Sequence, residues 1–250
     1  MEINIKGLVI GETRLGDNKK FIRVLTEEYG CISVVAYGAS SNKSKNFASA
    51  RPFTLSSFNL TKKRDSYTLK EGAVIKSFFA LGTDPKSLAL ASYIVSVAGF
   101  VSAQGEDSGE LLSLTLNTLY VLSEIKKSPE LIKAAFELKC AAVIGFAPAL
   151  LACAKCSCDI SHGGYFYVYE GECACEECKS RIEKAEYELV YKISPSVIAA
   201  MRYIVFSDIK KVFSFTVPDD EMETLSEISE KFLAARTENS FPALKVYKSL

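Results

Sequence analysis

The sequence predicts an α+β protein with two domains, a β-rich domain over residues 1–80 and an α-helical domain over residues 81–250. Short apolar runs broken by polar turns fill the first domain, whereas apolar residues at helical spacing follow Asp84. Two closely spaced pairs of cysteines indicate an insertion into the helical domain at about residues 150–182. A chain of 250 residues, 48% of them hydrophobic, is long enough to bury a substantial core.

The first domain contains five short apolar runs separated by polar or glycine-containing turns. The runs are Ile3–Ile10, Phe21–Leu25, Cys31–Tyr37, Phe53–Leu60 and Ala73–Phe79. Runs of this length predict β-strands, and Pro52 stands where a strand begins, which is where a missing amide hydrogen costs least. Five short strands suit a small barrel such as the OB-fold, whose strand face and loops form a groove for oligonucleotides. An SH3-like barrel would give a similar pattern.

The charges are distributed unevenly along the chain, although the formal net charge is zero. Residues 1–80 contain thirteen Lys or Arg against seven Asp or Glu, whereas residues 81–250 contain seventeen against twenty-three. The stretch from residue 29 to residue 64 has no acidic residue at all. An uncompensated basic surface attracts polyanions, of which nucleic acid is the commonest.

We therefore predict a nucleic-acid interface on the barrel, in which basic side chains contact phosphates while aromatic rings stack on bases. The basic candidates are Lys43, Lys45, Arg51, Lys62, Lys63 and Arg64. The aromatic candidates are Tyr37, Phe47 and Tyr67. The alternative is a solvated surface turn, because clusters of lysine and arginine often have no further role.

Three helices of the second domain are marked by their first residues. A capping side chain followed by proline is a start signal for a helix. The signal occurs three times, at Asp84-Pro85, Ser128-Pro129 and Ser194-Pro195. We expect a helix to begin at each of them.

The apolar pattern of these segments predicts which faces are buried. The runs 87–102 and 111–125 are apolar nearly all round, so we place them in the interior of a helical bundle. The helix after Ser128 has a single apolar stripe, which leaves Lys133 and Glu137 off that stripe and toward solvent. A further helix is predicted over Asp219–Arg236.

The insertion contains six of the eight cysteines, and clustered cysteines in a cytosolic chain favour a metal over disulfides. Four of them form two Cys-x-x-Cys knuckles, CAKC and CEEC, with eighteen residues between the pairs. This spacing is typical of a zinc ribbon, in which four thiolates fill the coordination sphere of one structural Zn²⁺. The predicted ligands are Cys153, Cys156, Cys175 and Cys178. An iron–sulfur cluster is disfavoured because the spacing C-x2-C-x2-C is absent.

Two features of the insertion leave alternatives open. Cys158 or Cys173 can replace one of the four ligands, although a Cys-x-Cys turn is tighter than the usual knuckle. Between the knuckles lies the alternating strand YFYVY, whose rings either stack on bases or cover the metal site. Covering the metal site is the favoured use.

The motifs of common enzyme classes are absent from the sequence. It has no GxxxxGK[ST] loop for a nucleoside triphosphate, no HExxH and no GxSxG. Its single histidine, His162, lies in the loop SHGG, where a solvated side chain is commoner than a catalyst. We therefore predict that the protein is not an enzyme. The alternative is a hydrolase or nuclease that uses carboxylates with an added metal.

The expected location is the cytoplasm, in association with the nucleoid. No segment reaches the roughly 20 consecutive apolar residues that a membrane span requires. The start, MEINIKGLVIGETRLGD, lacks the long apolar stretch of a signal peptide.

Three stretches of the chain carry a resemblance to a known family. They are GLVIGETRLGDNKKFIRVLTEEYGCISVVAYGA, ARPFTLSSFNLTKKRDSYTLKE and the cysteine segment CAKC…YFYVYEGECACEEC. Together with the order of parts, they resemble the RecO family of bacterial recombination mediators over nearly the whole chain. The most specific pieces are the turn from Thr26 to Gly30, Arg51-Pro52-Phe53 and the four knuckle cysteines. Two positions depart from the family pattern, because Ser157 stands where glycine is usual and Cys173 where an apolar residue is common.

The resemblance implies a non-enzymatic protein of DNA damage repair and homologous recombination in the RecFOR pathway. Such a protein binds single- and double-stranded DNA, anneals complementary strands and works with RecR. It helps to load RecA onto strands coated by single-strand-binding protein, so that RecA is acted on indirectly. The alternative is a zinc-containing protein-interaction scaffold without strong DNA affinity.

Overall fold

The computed structural model describes residues 1–15, 19–41, 43–64, 66–125, 127–179 and 189–250. The chain divides into two compact units, of which the first combines Met1–Ile125 with Phe241–Leu250 and the second is Lys126–Ser240. The boundary expected near residue 80 stays a prediction, and residues 180–182 of the expected insertion lie outside the described residues. Among the described helices, none is both long and apolar enough to cross a membrane.

Five strands of the first unit form a closed barrel in the order β1-β2-β3-β5-β4. The strands are β1 (Glu2–Arg14), β2 (Lys19–Thr26), β3 (Cys31–Tyr37), β4 (Thr54–Lys63) and β5 (Ser66–Ser77). Neighbours pair antiparallel except β3 and β5, which close the barrel through a short parallel pairing at Val34–Tyr67 and Val35–Thr68. The predicted OB-fold-like barrel is confirmed. The expected start of the last strand was wrong by seven residues, because its first half alternates buried and exposed side chains instead of forming an apolar run.

The inside of the barrel is filled by side chains at alternate positions of each strand, as a period of two requires. Fourteen buried residues form this core. They are Ile3, Ile5, Val9, Ile22, Val24, Ile32, Val34, Ala36, Ala39, Ala50, Phe58, Leu60, Tyr67 and Leu69. All but two of them lie on the strands, so the barrel carries its own hydrophobic core.

The turn between β2 and β3 explains the Thr-x-x-x-Gly motif. The Thr26 side chain donates to the Gly30 carbonyl at 2.8 Å and accepts from the Tyr29 backbone N–H at 3.1 Å. Gly30 has φ +59°, and a Cβ there would lie 1.9 Å from the Ala103 carbonyl oxygen. Both the left-handed conformation and the close approach require glycine.

Six α-helices follow the barrel in the described residues. They are α1 (Pro85–Val101), α2 (Gly109–Glu124), α3 (Pro129–Val143), α4 (Pro195–Phe206), α5 (Asp219–Thr237) and α6 (Pro242–Lys248). Asp84, Ser128 and Ser194 each cap a helix by accepting a backbone N–H, and proline follows each cap. The three predicted helix starts are therefore confirmed.

In the first unit, α1 packs against both the barrel and α6. Arg23 of β2 donates to the Gly99 carbonyl of α1 at 2.7 Å, and a Cβ on Gly99 would lie 2.5 Å from the Ile10 side chain. Phe241, just before α6, makes edge-on ring contacts with Tyr93 and Phe100 of α1. The end of the chain therefore completes this unit.

In the second unit, α3 packs against α5 around a buried ion cluster. The Lys133 ammonium lies 3.0 Å from Glu137 and 2.9 Å from Glu230, and Ser229 donates to Glu137 at 2.8 Å. Lys133 is 2% exposed and Glu137 is fully buried. The expectation that both face solvent was wrong, because α5 brings charged and hydroxyl groups that satisfy them inside the unit.

Three strands of the insertion and one strand beyond its expected end form a small sheet in the order β6-β8-β7-β9. They are β6 (Ala149–Cys153), β7 (Gly164–Tyr167), β8 (Glu172–Ala174) and β9 (Val190–Ile193). A Cβ on Gly164 would lie 2.4 Å from the Ala174 carbonyl oxygen, so glycine allows β7 to lie close beside β8. This sheet positions the cysteines.

Candidate metal centre and nucleic-acid interface

The two knuckles bring four thiols together. All four Sγ atoms lie within 4.8 Å of one another, and those of Cys156 and Cys175 are 3.8 Å apart. Four sulfurs at about 2.3 Å from a tetrahedral zinc would be separated by about 3.8 Å, so the cluster has the size that a zinc ion requires. Its members are Cys153, Cys156, Cys175 and Cys178.

Each knuckle is closed by backbone hydrogen bonds. The Ser157 N–H donates to the Cys153 carbonyl at 2.8 Å, and the Cys178 N–H donates to the Cys175 carbonyl at 3.1 Å. Ser157 has φ +60°, the left-handed conformation in which glycine has no steric cost. The knuckle geometry therefore explains why glycine is usual where this chain has serine.

The electrostatics of the cluster favour charge on one sulfur and oppose it on another. Burial acts to raise the pKa of the Cys153 thiol, but three backbone N–H groups of the knuckles donate to its sulfur and lower the pKa to about 6. A hydrogen bond with Cys156 raises the pKa of Cys178 to about 12. A divalent cation among the four would favour the thiolate form of all of them.

The two extra thiols of the insertion lie outside the four-sulfur cluster. Cys173 is buried within β8, and its burial raises the pKa of its thiol to about 12. Cys158 is exposed, and hydrogen bonds with Cys156 and then Cys175 raise its pKa to about 12. The donor set is therefore four knuckle sulfurs with a fifth sulfur at the edge.

Most of the aromatic strand between the knuckles is buried and supports them. The Tyr165 hydroxyl donates to Glu176 of the second knuckle at 2.9 Å, and the Lys179 ammonium lies 3.9 Å from the Tyr165 ring centroid. Phe166 packs edge-on against Phe232 of α5. Rings held in this way have no free face for a base, and within this segment only Tyr169 is exposed. The segment therefore contacts the second knuckle and α5, and its use as a cover for the metal site stays a prediction.

A cavity of about 690 Å³ opens beside the knuckles. Its lining includes His162, the single histidine of the chain, together with Cys158, Asp159 and Cys175. His162 is exposed there. It therefore lies near the cysteine cluster but outside the four-sulfur group.

The basic loop of the barrel, described at residues 38–41 and 43–53, is packed against the strands. The Asn46 side chain donates to the Lys70 carbonyl at 3.2 Å and accepts from the Gly72 N–H at 3.0 Å. The buried ammonium of Lys20 donates to the Ala50 carbonyl at 2.8 Å. The loop is thereby anchored at several points and can present charges from fixed positions.

The candidate cations of the loop are exposed. Lys43 and Lys45 point into solvent, and Lys45 lies 3.3 Å from the carboxylate of Glu71. The Arg51 guanidinium lies 5.7 Å from the Phe47 ring centroid and 5.2 Å from that of Phe79. Phe79 is 67% exposed, so this pair offers both a positive charge and a ring to solvent.

The other candidate cations lie at the end of β4 and in the residue that follows it. The Lys62 ammonium lies 5.3 Å from the Tyr29 ring centroid and 5.4 Å from that of Tyr67, while Lys63 and Arg64 are exposed. Arg51 precedes β4, and Lys45 lies between these two ends, because its ion-pair partner Glu71 pairs with Asn59 of β4. The candidate cations are therefore spread along β4 instead of forming one compact patch.

The aromatic candidates differ in their exposure. Tyr37 is 59% exposed and Phe47 is half-buried, whereas Tyr67 is 3% exposed and belongs to the barrel core. A buried ring offers no face for stacking. Tyr67 is therefore suited to support Lys62 from below and not to contact a base.

One cation–aromatic group escaped the sequence reasoning. The Lys19 ammonium lies 5.1 Å from the Phe21 ring centroid and 5.6 Å from that of Tyr37. Lys19 pairs directly with Tyr37 across β2 and β3. The predicted strand begins at Phe21, whereas β2 begins at Lys19. The prediction therefore does not place Lys19 and Phe21 on the same face of one strand.

A second concavity of about 500 Å³ lies on the barrel. Three carboxylates, those of Glu27, Glu28 and Glu71, line it together with a single lysine, Lys6. An excess of negative charge disfavours phosphate. This concavity is therefore not part of the candidate nucleic-acid interface.

Comparison with known proteins covers almost the whole chain. A family described as Recombination protein O N terminal matches residues 1–78, and one described as Recombination protein O C terminal matches residues 82–245. The two matches divide the chain where the barrel strands end and the helices begin.

Several curated relatives align along their full length. A protein named DNA repair protein RecO from Acetivibrio thermocellus is 30% identical over 99% of this chain and 97% of its own length. Proteins of the same name from Alkaliphilus metalliredigens and Clostridium acetobutylicum are 26% and 28% identical, covering 100% and 97% of this chain. Their own lengths are covered to 100% and 97%.

Proposed function

Because the chain belongs to the RecO family of DNA repair proteins, we propose that it is a recombination mediator that works directly on DNA strands. In this proposal it binds single- and double-stranded DNA and anneals complementary strands. It also helps to load recombinase onto strands that are coated by single-strand-binding protein.

The observation that carries the DNA-binding proposal is the pairing of barrel cations with aromatic rings. Lys19, Arg51 and Lys62 each lie 5.1–5.7 Å from the centroids of two rings. A positive charge beside an aromatic surface is the combination that binds a phosphate backbone and stacks its bases without reading sequence. Lys43, Lys45, Lys63 and Arg64 add exposed charge on the barrel.

Strand annealing fits cations that are spread along the barrel better than one compact group. Two backbones repel each other until their phosphates are neutralised, and each contact with lysine or arginine releases counterions. Cations spread along a ten-residue strand can neutralise two segments of DNA at once. This process requires no nucleophile and no nucleotide hydrolysis, so we propose that the protein has no enzymatic activity.

The proposed protein partners follow from the family. RecR and single-strand-binding protein are proposed as direct partners, and RecA is affected indirectly. Residues 81–250 carry an excess of six acidic over basic residues, so phosphate binding is not expected to dominate there. We propose a cytoplasmic location in association with the nucleoid.

We also propose that the four knuckle cysteines hold one structural Zn²⁺. When bound, the ion would tie the two knuckles together and stabilise the short strands around them. Four sulfur ligands would leave no open position for substrate. The centre would therefore position the insertion and offer no binding site for a substrate.

Fluorescence anisotropy with a labelled single-stranded oligonucleotide across a salt series tests the DNA-binding proposal. Two variants divide the candidate cations between them: Lys43→Ala with Lys45→Ala and Arg51→Ala, and Lys62→Ala with Lys63→Ala and Arg64→Ala. Each variant should bind the oligonucleotide more weakly. The slope of log K against log salt should become less steep by up to about 0.7 for each phosphate that the variant no longer binds. Variant Lys210→Ala with Lys211→Ala removes two exposed lysines of the second unit and serves as the matched control.

Annealing of complementary oligonucleotides then separates the two roles. If the spread cations neutralise two segments of DNA at once, either triple variant should lose annealing more than it loses single-strand binding. Weak, salt-independent binding that is unchanged in both variants would instead support the protein-interaction scaffold. Magnesium-dependent loss of the labelled oligonucleotide would contradict the proposal that the protein is not an enzyme.

A further inference from the structure

The cysteine cluster has a fifth thiol at its edge. Cys158 is exposed and lies two residues after Cys156 in the chain. Cys158 and Cys175 line the same open cavity of about 690 Å³. A small solute that enters this cavity therefore reaches the fifth thiol and one of the four clustered thiols together.

This arrangement leaves Cys158 with no structural task in the metal site. Tetrahedral coordination uses four thiolates, and the four-sulfur cluster supplies them without Cys158. The Cys158 carbonyl already serves the knuckle by accepting from the Cys153 N–H at 2.9 Å, and its thiol is not needed for that bond. An exposed thiol next to the clustered cysteines can form a disulfide with one of them once that cysteine is oxidised to a sulfenic acid.

We propose that Cys158 is a resolving thiol that captures an oxidised zinc ligand as a disulfide and thereby releases the metal when the protein meets a peroxide. This inference rests on the proposed zinc site. The partner is Cys156 or Cys175, since Cys156 is two residues away in the chain and Cys175 lines the same cavity. Of the other thiols, Cys173 and Cys140 are buried, and Cys31 lies in the barrel.

The chemistry balances in two steps. The sulfur of a zinc-bound thiolate attacks hydrogen peroxide, the O–O bond breaks, and a sulfenic acid and hydroxide form. The Cys158 thiol then attacks the sulfenic sulfur, so that an S–S bond forms, the S–O bond breaks and water leaves. The two cysteines lose two electrons, and peroxide gains them. At most three thiolates then remain as ligands, so the protein binds zinc less tightly.

The test uses the full chain, purified with zinc and treated with one equivalent of hydrogen peroxide. Zinc release is followed with a chromogenic chelator, and disulfides are mapped by mass spectrometry of non-reduced peptides. The variants are Cys158→Ser, Cys158→Ala and the matched control Cys31→Ser, which removes a partly exposed thiol of the barrel.

Wild type and Cys31→Ser should release zinc at equal rates, and both Cys158 variants should release it at least about threefold more slowly. The first disulfide in wild type should join Cys158 to Cys156 or Cys175, and a thiol reductant with added zinc should restore the metal. Equal release from the Cys158 variants, or a first disulfide without Cys158, would overturn the inference.

Two further outcomes are informative. If both Cys158 variants lack zinc before peroxide is added, Cys158 is a ligand and not a spare thiol, which also overturns the inference. If wild type itself is purified without zinc, the proposed metal centre fails. The peptide map still decides the disulfide in that case, because it requires no metal.

Discussion

The barrel and the sheet of the insertion are both built from strands, but different forces hold them together. The barrel strands are seven to thirteen residues long and enclose fourteen buried residues. The insertion strands are three to five residues long, and the knuckles adjoin β6 and β8, where four sulfurs cluster within 4.8 Å. Burial of apolar area supports the barrel. The sheet of the insertion also buries apolar side chains such as Leu150 and Phe166, but we expect its short strands to need a metal cross-link as well. The same chain therefore contains one region stabilised by its core and one that we expect to be stabilised by an ion.

Removal of the metal should produce the largest effect and should be confined to one region. A strong chelator, or Cys178→Ser, is expected to unfold the insertion, since thiolate-bound zinc contributes on the order of 10 kcal/mol in small metal domains. Amide hydrogen exchange should then accelerate in β6–β9 and stay slow in the barrel. Cys140→Ser, which removes a buried thiol outside the cluster, is the control. Faster exchange in the barrel than in β6–β9 would refute the comparison.

The barrel should respond to loss of core volume. Phe58 is almost fully buried, and Phe58→Ala should lower the free energy of unfolding by about 4 kcal/mol through lost burial and a residual cavity. Chemical denaturation followed by circular dichroism measures the change. Phe79→Ala, at a ring that is mostly exposed, should change stability by much less. A similar loss in the two variants would mean that the barrel core does not dominate.

The ion cluster between α3 and α5 tests whether the second unit depends on a charge network besides the metal. Glu137→Gln removes one of the two carboxylates around the buried Lys133 ammonium and should cost about 3 kcal/mol. Glu230→Gln, whose side chain is 14% exposed, should cost less. The measurement is amide hydrogen exchange in α3 and α5 while zinc remains bound. Unchanged exchange in Glu137→Gln would contradict this role.

The smallest expected effect is a gain. Ser157→Gly relieves a left-handed conformation in the first knuckle and should stabilise the zinc-bound insertion by about 1 kcal/mol. The readout is the rate of zinc loss to a competing chelator. The matched control is Ser161→Gly in a neighbouring loop, because Ser161 itself does not have a positive φ. Faster zinc loss from Ser157→Gly would show that the serine has a role of its own.

Local signals predicted much of the fold. The Asp-Pro and Ser-Pro pairs indicated three helix starts because each cap and proline act on their own turn. The two cysteines of each knuckle lie close together because a Cys-x-x-Cys turn is a local structure. The approach of the two knuckles to each other depends on the path of the chain between them, which the structure brings back as expected. Five strands were enough to favour a barrel.

Features that depend on a second element escaped the sequence. Lys133 and Glu137 look like surface residues until Ser229 and Glu230 arrive from α5, almost a hundred residues later. Likewise, Lys19 becomes part of an aromatic group only through its register with Tyr37. Tyr67 is a plausible stacking residue in sequence, and only the closure between β3 and β5 buries its ring. Pairwise contacts of this kind have no signature in composition or periodicity.

The contact of Phe241 with Tyr93 and Phe100 has a consequence for synthesis on the ribosome. The first unit needs residues 241–250, which are translated after all of the second unit. At roughly 5–20 residues per second, the 115 intervening residues take on the order of 10 s, and during that time α1 exposes the aromatic surface that Phe241 will cover. The first unit therefore cannot complete its fold until the second unit has been synthesised. Slower elongation over that interval would lengthen the period in which a chaperone can bind α1.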